Sequence, residues 1–87
     1  MIDKISLNKD ETFIIDSSTN IISVALIFGN VSITDTNNNN IAVLNDNYDI
    51  FTIPANSGLY KLIGNSDYSS VYIFRSFYIW CMKKAIK

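Results

Sequence analysis

The sequence contains no histidine, one cysteine, one proline, one glutamate and three glycines among its 87 residues. Without imidazole, Ser-His and Cys-His nucleophilic pairs are excluded. The usual nitrogen ligand of zinc, copper and iron is missing as well. Cys81 alone cannot form an internal disulfide, which fits a reducing compartment. No charged-then-apolar leader opens the chain. The longest apolar stretch, Val71 to Met82, is broken by Arg75 and Ser76 and is shorter than the roughly 20 residues that span a bilayer. These features give the expectation of a cytoplasmic protein with no membrane span.

Hydrophobic residues make up 48% of the chain and aromatics 13%, enough for one core and too much for a disordered segment. A chain of this length forms one small domain that buries a little over ~60% of its unfolded surface. Net charge is −1, unevenly spread. Residues 1–69 hold three lysines against all eight acids, whereas residues 70–87 hold Arg75, Lys83, Lys84 and Lys87 and no acid. Such a basic end is either the solvated end of an apolar strand or a docking surface for an anion, nucleic acid or membrane.

Turn-forming residues recur at short intervals: Asn8–Asp10, Asp16–Asn20, Gly29-Asn30, Thr36–Asn40, Asn45–Asn47, Asn56–Gly58 and Gly64–Ser70. Between them lie short runs rich in Ile, Val, Phe and Tyr, which suit a pleated surface. The pattern predicts strands at Lys4–Leu7, Thr12–Ile15, Ile21–Phe28, Asn30–Thr34, Ile41–Leu44, Ile50–Ile53, Gly58–Ile63 and Val71–Tyr78. Alternation sets Val31 and Ile33 on one face, with Ser32 and Thr34 on the other. The nearly unbroken apolar run Ile21–Phe28 reads as a central strand covered on both sides. The four asparagines at 37–40 read as a hairpin tip, since Asn tolerates positive φ.

Pro54 fixes φ and lacks a donor, so it ends the Ile50–Ile53 strand at a corner. Gly58 or Asn56 supplies the positive φ that turns the chain back. After Val71 two patterns coexist. As a strand, Tyr72, Phe74, Tyr78 and Trp80 share a face; as a helix, Phe74, Phe77, Tyr78, Cys81 and Ala85 form a stripe with the lysines in its last turns. We expect a strand core over residues 4–78 and a basic tail, helical or frayed, over 79–87, all within one β domain spanning 1–87.

Leu26-Ile-Phe-Gly-Asn-Val-Ser-Ile33 resembles the cupin segment in which an apolar strand meets a glycine turn and a Val-x-Ile strand. Leu44 through Ala55 resembles the second cupin segment, with Tyr48 where the family usually has glycine and Asp49 matching its aspartate. The continuation Ala55–Gly64 is similar to the C-terminal β domain of class I mannose-6-phosphate isomerases, whose catalytic residues belong to another domain. The resemblance covers about residues 4–75. It implies an all-β, cupin-like jelly roll or compact sandwich of about eight short strands. Metal-binding cupins place a histidine where Leu59 and Tyr60 stand, so no metal or other cofactor is expected.

No catalytic constellation emerges. Asp10-Glu11 and Asp46/Asp49 fall in turns, where carboxylates bond backbone donors. Cys81, near Lys83 and Lys84, is either an activated thiol or a small packing residue. The leading functional reading is a non-catalytic binding module that pairs with a second copy or docks on a larger protein. Tyr72, Phe74, Arg75, Phe77, Tyr78 and Trp80 are its interface candidates. Edge strands need covering, and self-pairing is the commonest solution. Small phage or mobile-element inhibitors share this short, Asn-rich profile. One alternative is a small-molecule (sugar-like) sensor whose jelly-roll interior is lined by Phe51, Tyr60 and Tyr72. Another is a nucleic-acid or anion binder using Arg75, Lys83, Lys84 and Lys87.

Overall fold

The computed structural model describes residues 2–76. Eight strands run β1 (Ile2–Asn8), β2 (Thr12–Asp16), β3 (Ile21–Phe28), β4 (Val31–Asp35), β5 (Asn40–Leu44), β6 (Ile50–Ile53), β7 (Leu59–Gly64) and β8 (Tyr68–Ser76). They form two four-stranded antiparallel sheets, a first of order β1-β8-β3-β6 and a second of order β2-β7-β4-β5. Every connection except the β4–β5 hairpin passes from one sheet to the other, as in a jelly roll. The compact all-β sandwich expected from the turn spacing is therefore observed.

Period-two alternation puts one side of each strand into the sandwich. Ile22, Val24 and Leu26 of β3 face Val31 and Ile33 of β4 across a core completed by Leu7, Ile15, Leu44, Ile53, Leu62, Val71 and Ile73. These buried side chains are all aliphatic and most have no exposed surface. Fully burying each such residue contributes about 1.5–3 kcal/mol relative to exposure. Ile5, Phe13, Ala42, Phe51 and Tyr60 pack around this centre, half-buried.

Two strands begin two or more residues earlier than expected. Tyr68-Ser-Ser70 belongs to β8 because it pairs with Ser6–Asn8 of β1, and β1 itself starts at Ile2 opposite Phe74. Long-range pairing overrides the turn character of these polar residues. The β3 strand is central, as expected, but covered on one side only. Ile21, Ser23, Ala25 and Ile27 stay half-buried on its outward side. Thr34 is buried although it alternates outward, next to the register shift between Ile33 and Thr34. Phe77, Tyr78 and the tail 79–87 lie outside the described residues.

The corner after β6 is built as Pro54 requires. Asn56 and Gly58 both take positive φ, 65° and 97°. Ser57 Oγ donates to the Pro54 carbonyl at 2.7 Å. Buried Ser17 stitches this corner to the β2–β3 loop, its backbone N–H and its hydroxyl both donating to the Gly58 carbonyl.

The asparagine tip of the β4–β5 hairpin is organised by Asp35. Its Oδ1 accepts from the Asn37 and Asn39 backbone N–H groups at 2.9 Å each, and its Oδ2 accepts from Asn39 Nδ2 at 3.0 Å. Asn38 takes φ 67°. The Asn39 bonds, backbone first, hold the exposed Asp35 carboxyl below its ordinary range. A lowered folded value means the contribution is complete above about pH 4 and disappears as pH falls through that lowered value. Asp35→Asn should accordingly flatten part of the acid-side slope in urea midpoints measured between neutral pH and acid. An unchanged slope would show that the tip does not couple to folding.

Candidate functional site

The outward side of the first sheet carries the largest coherent set of exposed apolar side chains. Registers place two rows across its four strands: Ile2, Phe74, Ser23 and Thr52 in one, and Lys4, Tyr72, Ala25 and Ile50 in the next. Ile2 is 61% exposed, Ile50 64%, Tyr72 42% and Phe74 38%. Successive outward positions on β8 bring Tyr72 and Phe74 into edge-to-face contact, centroids 6.2 Å apart. Such aromatic pairs fix one another's orientation and add about 0.5–1.5 kcal/mol beyond burial. Within the first row the Ser23 and Thr52 hydroxyls share a 2.9 Å hydrogen bond, which satisfies two polar groups without presenting charge. Lys4 is the only ionic side chain in these two rows.

The outward side of the second sheet is also partly apolar, with Ile14, Ile41, Val43 and Leu59 exposed. There the charges of Lys61 and Asp16 interrupt the rows, each paired directly with an apolar residue, Ile14 and Leu59. The Lys61 ammonium bonds Asn38 Oδ1 of the hairpin tip.

Of the interface candidates, Tyr72 and Phe74 stand together on the first sheet's outer face. Arg75 alternates to the other side and forms an ion pair with Asp3. Its guanidinium is thus engaged by a carboxylate of β1, and as a half-exposed pair this contributes at most about 1 kcal/mol. Phe77, Tyr78, Trp80, Lys83, Lys84 and Lys87 lie outside the described residues, as does Cys81, so the anion-binding set is represented here by Arg75 alone. Of the pocket set, Phe51 on β6 and Tyr60 on β7 pack half-buried against the aliphatic core, while Tyr72 points outward. The fold does not bring these three together.

The carboxylates of the turns serve backbone donors. Glu11 Oε1 accepts from Asn8 N–H at 2.8 Å, and Asp49 Oδ2 accepts from the Asn45 and Asp46 N–H groups at 3.3 and 3.0 Å. Asp16 Oδ1 takes the Ser18 hydroxyl and N–H, which holds this exposed carboxyl below its ordinary range. Among the described residues no three His, Cys, Asp or Glu side chains are grouped to hold a metal ion. No helix among them is long and apolar enough to cross a membrane.

Solved structures share this architecture. The cupin domain of Schizosaccharomyces pombe Cnp3 superposes with a TM-score of 0.73 at 13% identity, covering 95% of this chain and 56% of that one. The fold is cupin-like. A CENP-C domain of Drosophila melanogaster gives 0.69 at 16% identity, covering 87% of this chain and 58% of its own length. Drosophila CENP-C bound to CAL1 gives 0.68 at 12% identity, with coverage of 87% and 61%. The chain therefore spans less than two thirds of each of these structures. No family model and no curated protein matches the sequence.

Ile2 and Ile50 were not among the sequence candidates. Ile2 precedes the expected first strand, and Ile50 joins the face only because β6 pairs with β3. The available signal was alternation within Ile50–Ile53, where Ile50 and Thr52 must face opposite to Phe51 and Ile53.

Proposed function

We propose that this protein is a non-catalytic protein-interaction module, and that it pairs with a second copy of itself through the outer face of the β1-β8-β3-β6 sheet. The observation that carries this reading is the pair of registered rows bearing Ile2, Tyr72, Phe74 and Ile50 with a single charge among them. Exposed apolar surface of this kind marks an interaction site. Tyrosine and phenylalanine are favoured at the centre of such interfaces, where charged residues are depleted. A sheet face whose charge is confined to Lys4 is suited to a two-fold contact, in which each copy offers the same patch.

The structural likeness supports the same direction. One similar fold, CENP-C, has been solved bound to another protein, CAL1, so this scaffold accommodates protein partners. A small phage or mobile-element inhibitor is the narrower form of the reading, supported by the shortness and asparagine content of the chain. The likeness to the isomerase β domain concerns scaffold alone, through Pro54 and its flanking strands, and brings no isomerase reaction with it.

Multi-angle light scattering of the full chain at micromolar concentration should give twice 9.8 kDa. Tyr72→Glu combined with Phe74→Glu should return the mass to one chain and weaken association by more than about 100-fold, as expected when two aromatic anchors are replaced by desolvated charge. Both residues are exposed, so circular dichroism should remain that of the parent. A monomeric parent would remove self-pairing. A dimer unaffected by the double substitution would place the contact elsewhere.

A further inference from the structure

Three loops meet at one end of the sandwich and enclose an open cleft of about 580 Å³ lined by Phe28, Gly29, Asn30, Asn47, Ser66, Asp67 and Tyr68. The β3–β4 turn, the β5–β6 loop and the β7–β8 loop each contribute to its wall. The cleft lies at the loops and not in the aliphatic interior, whose buried residues take no part in its lining. Phe28 and Tyr68 form one side, ring centroids 6.1 Å apart and tilted by 40°. Both rings are about half exposed, at 55% and 48%.

The floor of the cleft is held by a hydrogen-bond network. Ser69 Oγ accepts from the Asn30 N–H at 3.1 Å and donates to the Asn30 carbonyl at 3.0 Å. Asn65 Nδ2 donates to Asn30 Oδ1 at 2.8 Å and to Ser32 Oγ at 2.7 Å. These bonds occupy the Asn30 carboxamide oxygen and so orient its NH₂ group. Ser66 Oγ bonds the Tyr68 carbonyl and Ser69 Oγ. Gly29 lies so close to Tyr68 and Ser69 that a Cβ there would meet Tyr68 O at 2.5 Å. A site so constrained loses little freedom when a ligand enters.

The adjoining loop carries a second signal. Tyr48, next to Asn47, adopts φ 72° and is 83% exposed. A non-glycine residue in this region is disfavoured, and glycine would relieve it. An exposed aromatic kept there at a conformational cost is a feature concentrated at ligand sites.

We propose that this cleft binds a neutral saccharide, with the sugar ring set against Phe28 and Tyr68, its hydroxyls bonded by Asn30, Asn47, Ser66 and Asp67, and Tyr48 closing the rim. The lining has aromatic faces and both donors and acceptors, but no cationic side chain, which disfavours phosphate and other anions. The one charged side chain of the lining is the Asp67 carboxylate, which disfavours anions further. The Tyr68 phenol is held below its ordinary range first by its hydrogen bond with Ser6, and also by Ser70 and the Lys4 charge.

The test is a ¹H–¹⁵N correlation titration of the full chain with maltotriose, cellotriose and triacetylchitotriose, with choline and inorganic phosphate in parallel. At least one glycan should shift the amides of Gly29, Asn30, Asn47 and Asp67 saturably. Phe28→Ala should weaken that binding by about tenfold. Tyr48→Gly should weaken it several-fold while leaving the thermal midpoint equal or higher, which separates lost contact from lost folding. No shift with any glycan at tens of millimolar, shifts confined to the first sheet's outer rows, or saturable shifts with choline or phosphate instead would each overturn the proposal. So would unchanged affinity in both variants. Oligomeric mass is read separately, so this outcome is independent of self-pairing.

Discussion

Ile73→Ala is expected to lower the unfolding free energy by about 2–5 kcal/mol, the range for deleting a buried aliphatic side chain. Ile73 has no exposed surface. It sits in β8, between Asp3 of β1 and Val24 of β3, so the space left by its lost methylenes is walled by two hydrogen-bonded strands that cannot collapse into it. The transfer loss and the cavity loss therefore add. A domain of this size has a total stability of only about 4–13 kcal/mol, so the variant should be partly unfolded at physiological temperature. Urea unfolding followed by far-ultraviolet circular dichroism reads this as a large fall in midpoint at similar slope. A midpoint within experimental scatter of the parent would show that the interior repacks freely. Phe51→Leu, at the half-buried edge of the same layer, should cost much less.

The glycines should separate into two classes. Gly29→Ala combines φ 95° with a Cβ placed 2.5 Å from Tyr68 O and Ser69 Oγ. Gly64→Ala has ordinary φ, but its Cβ would meet Asn8 O at 2.4 Å. Backbone oxygen cannot rotate aside as a side-chain tip can, so the β1–β2 and β3–β4 connections would have to shift. Overpacking alone costs about 1–3 kcal/mol, and the left-handed backbone at Gly29 adds about 1–2 kcal/mol. Gly58 shares a positive φ of 97° but has nothing within 4 Å of its Cβ position, so Gly58→Ala should show the conformational cost alone. The expected order of destabilisation is Gly29 above Gly58, with Gly64 set by contact only. Equal effects at Gly29 and Gly58 would mean that the close approach to β8 relaxes without penalty.

Local chemistry made much of this fold legible. Pro54 marked the end of β6, the Val31/Ile33 alternation marked an inward face, and Asn56-Ser-Gly58 marked the turn, because each depends on residues within a few positions. What escaped depends on partners far along the chain. Tyr68-Ser-Ser70 looks like a loop until β1 is laid beside it, and Arg75 looks like a free cation until Asp3 is found across the same sheet. The exposed apolar rows were half visible: Tyr72 and Phe74 followed from alternation, whereas Ile2 and Ile50 join them only through strand order. The cleft was invisible for the same reason, since its walls come from three loops. One sign of it was present, the tyrosine at position 48 where a cupin segment usually has glycine.

The pairing of the first strand with the eighth sets a schedule for synthesis. Until residues 68–76 have left the ribosome, β1 has no neighbour and β3 lacks one of its two, so the first sheet cannot assemble on a nascent chain. The second sheet and the β3–β6 pair can form before then, so closure of the first sheet is the late event. Loop-closure entropy makes that event slow relative to helical folds of similar size, and the interval exposes unpaired strand edges that invite association between chains.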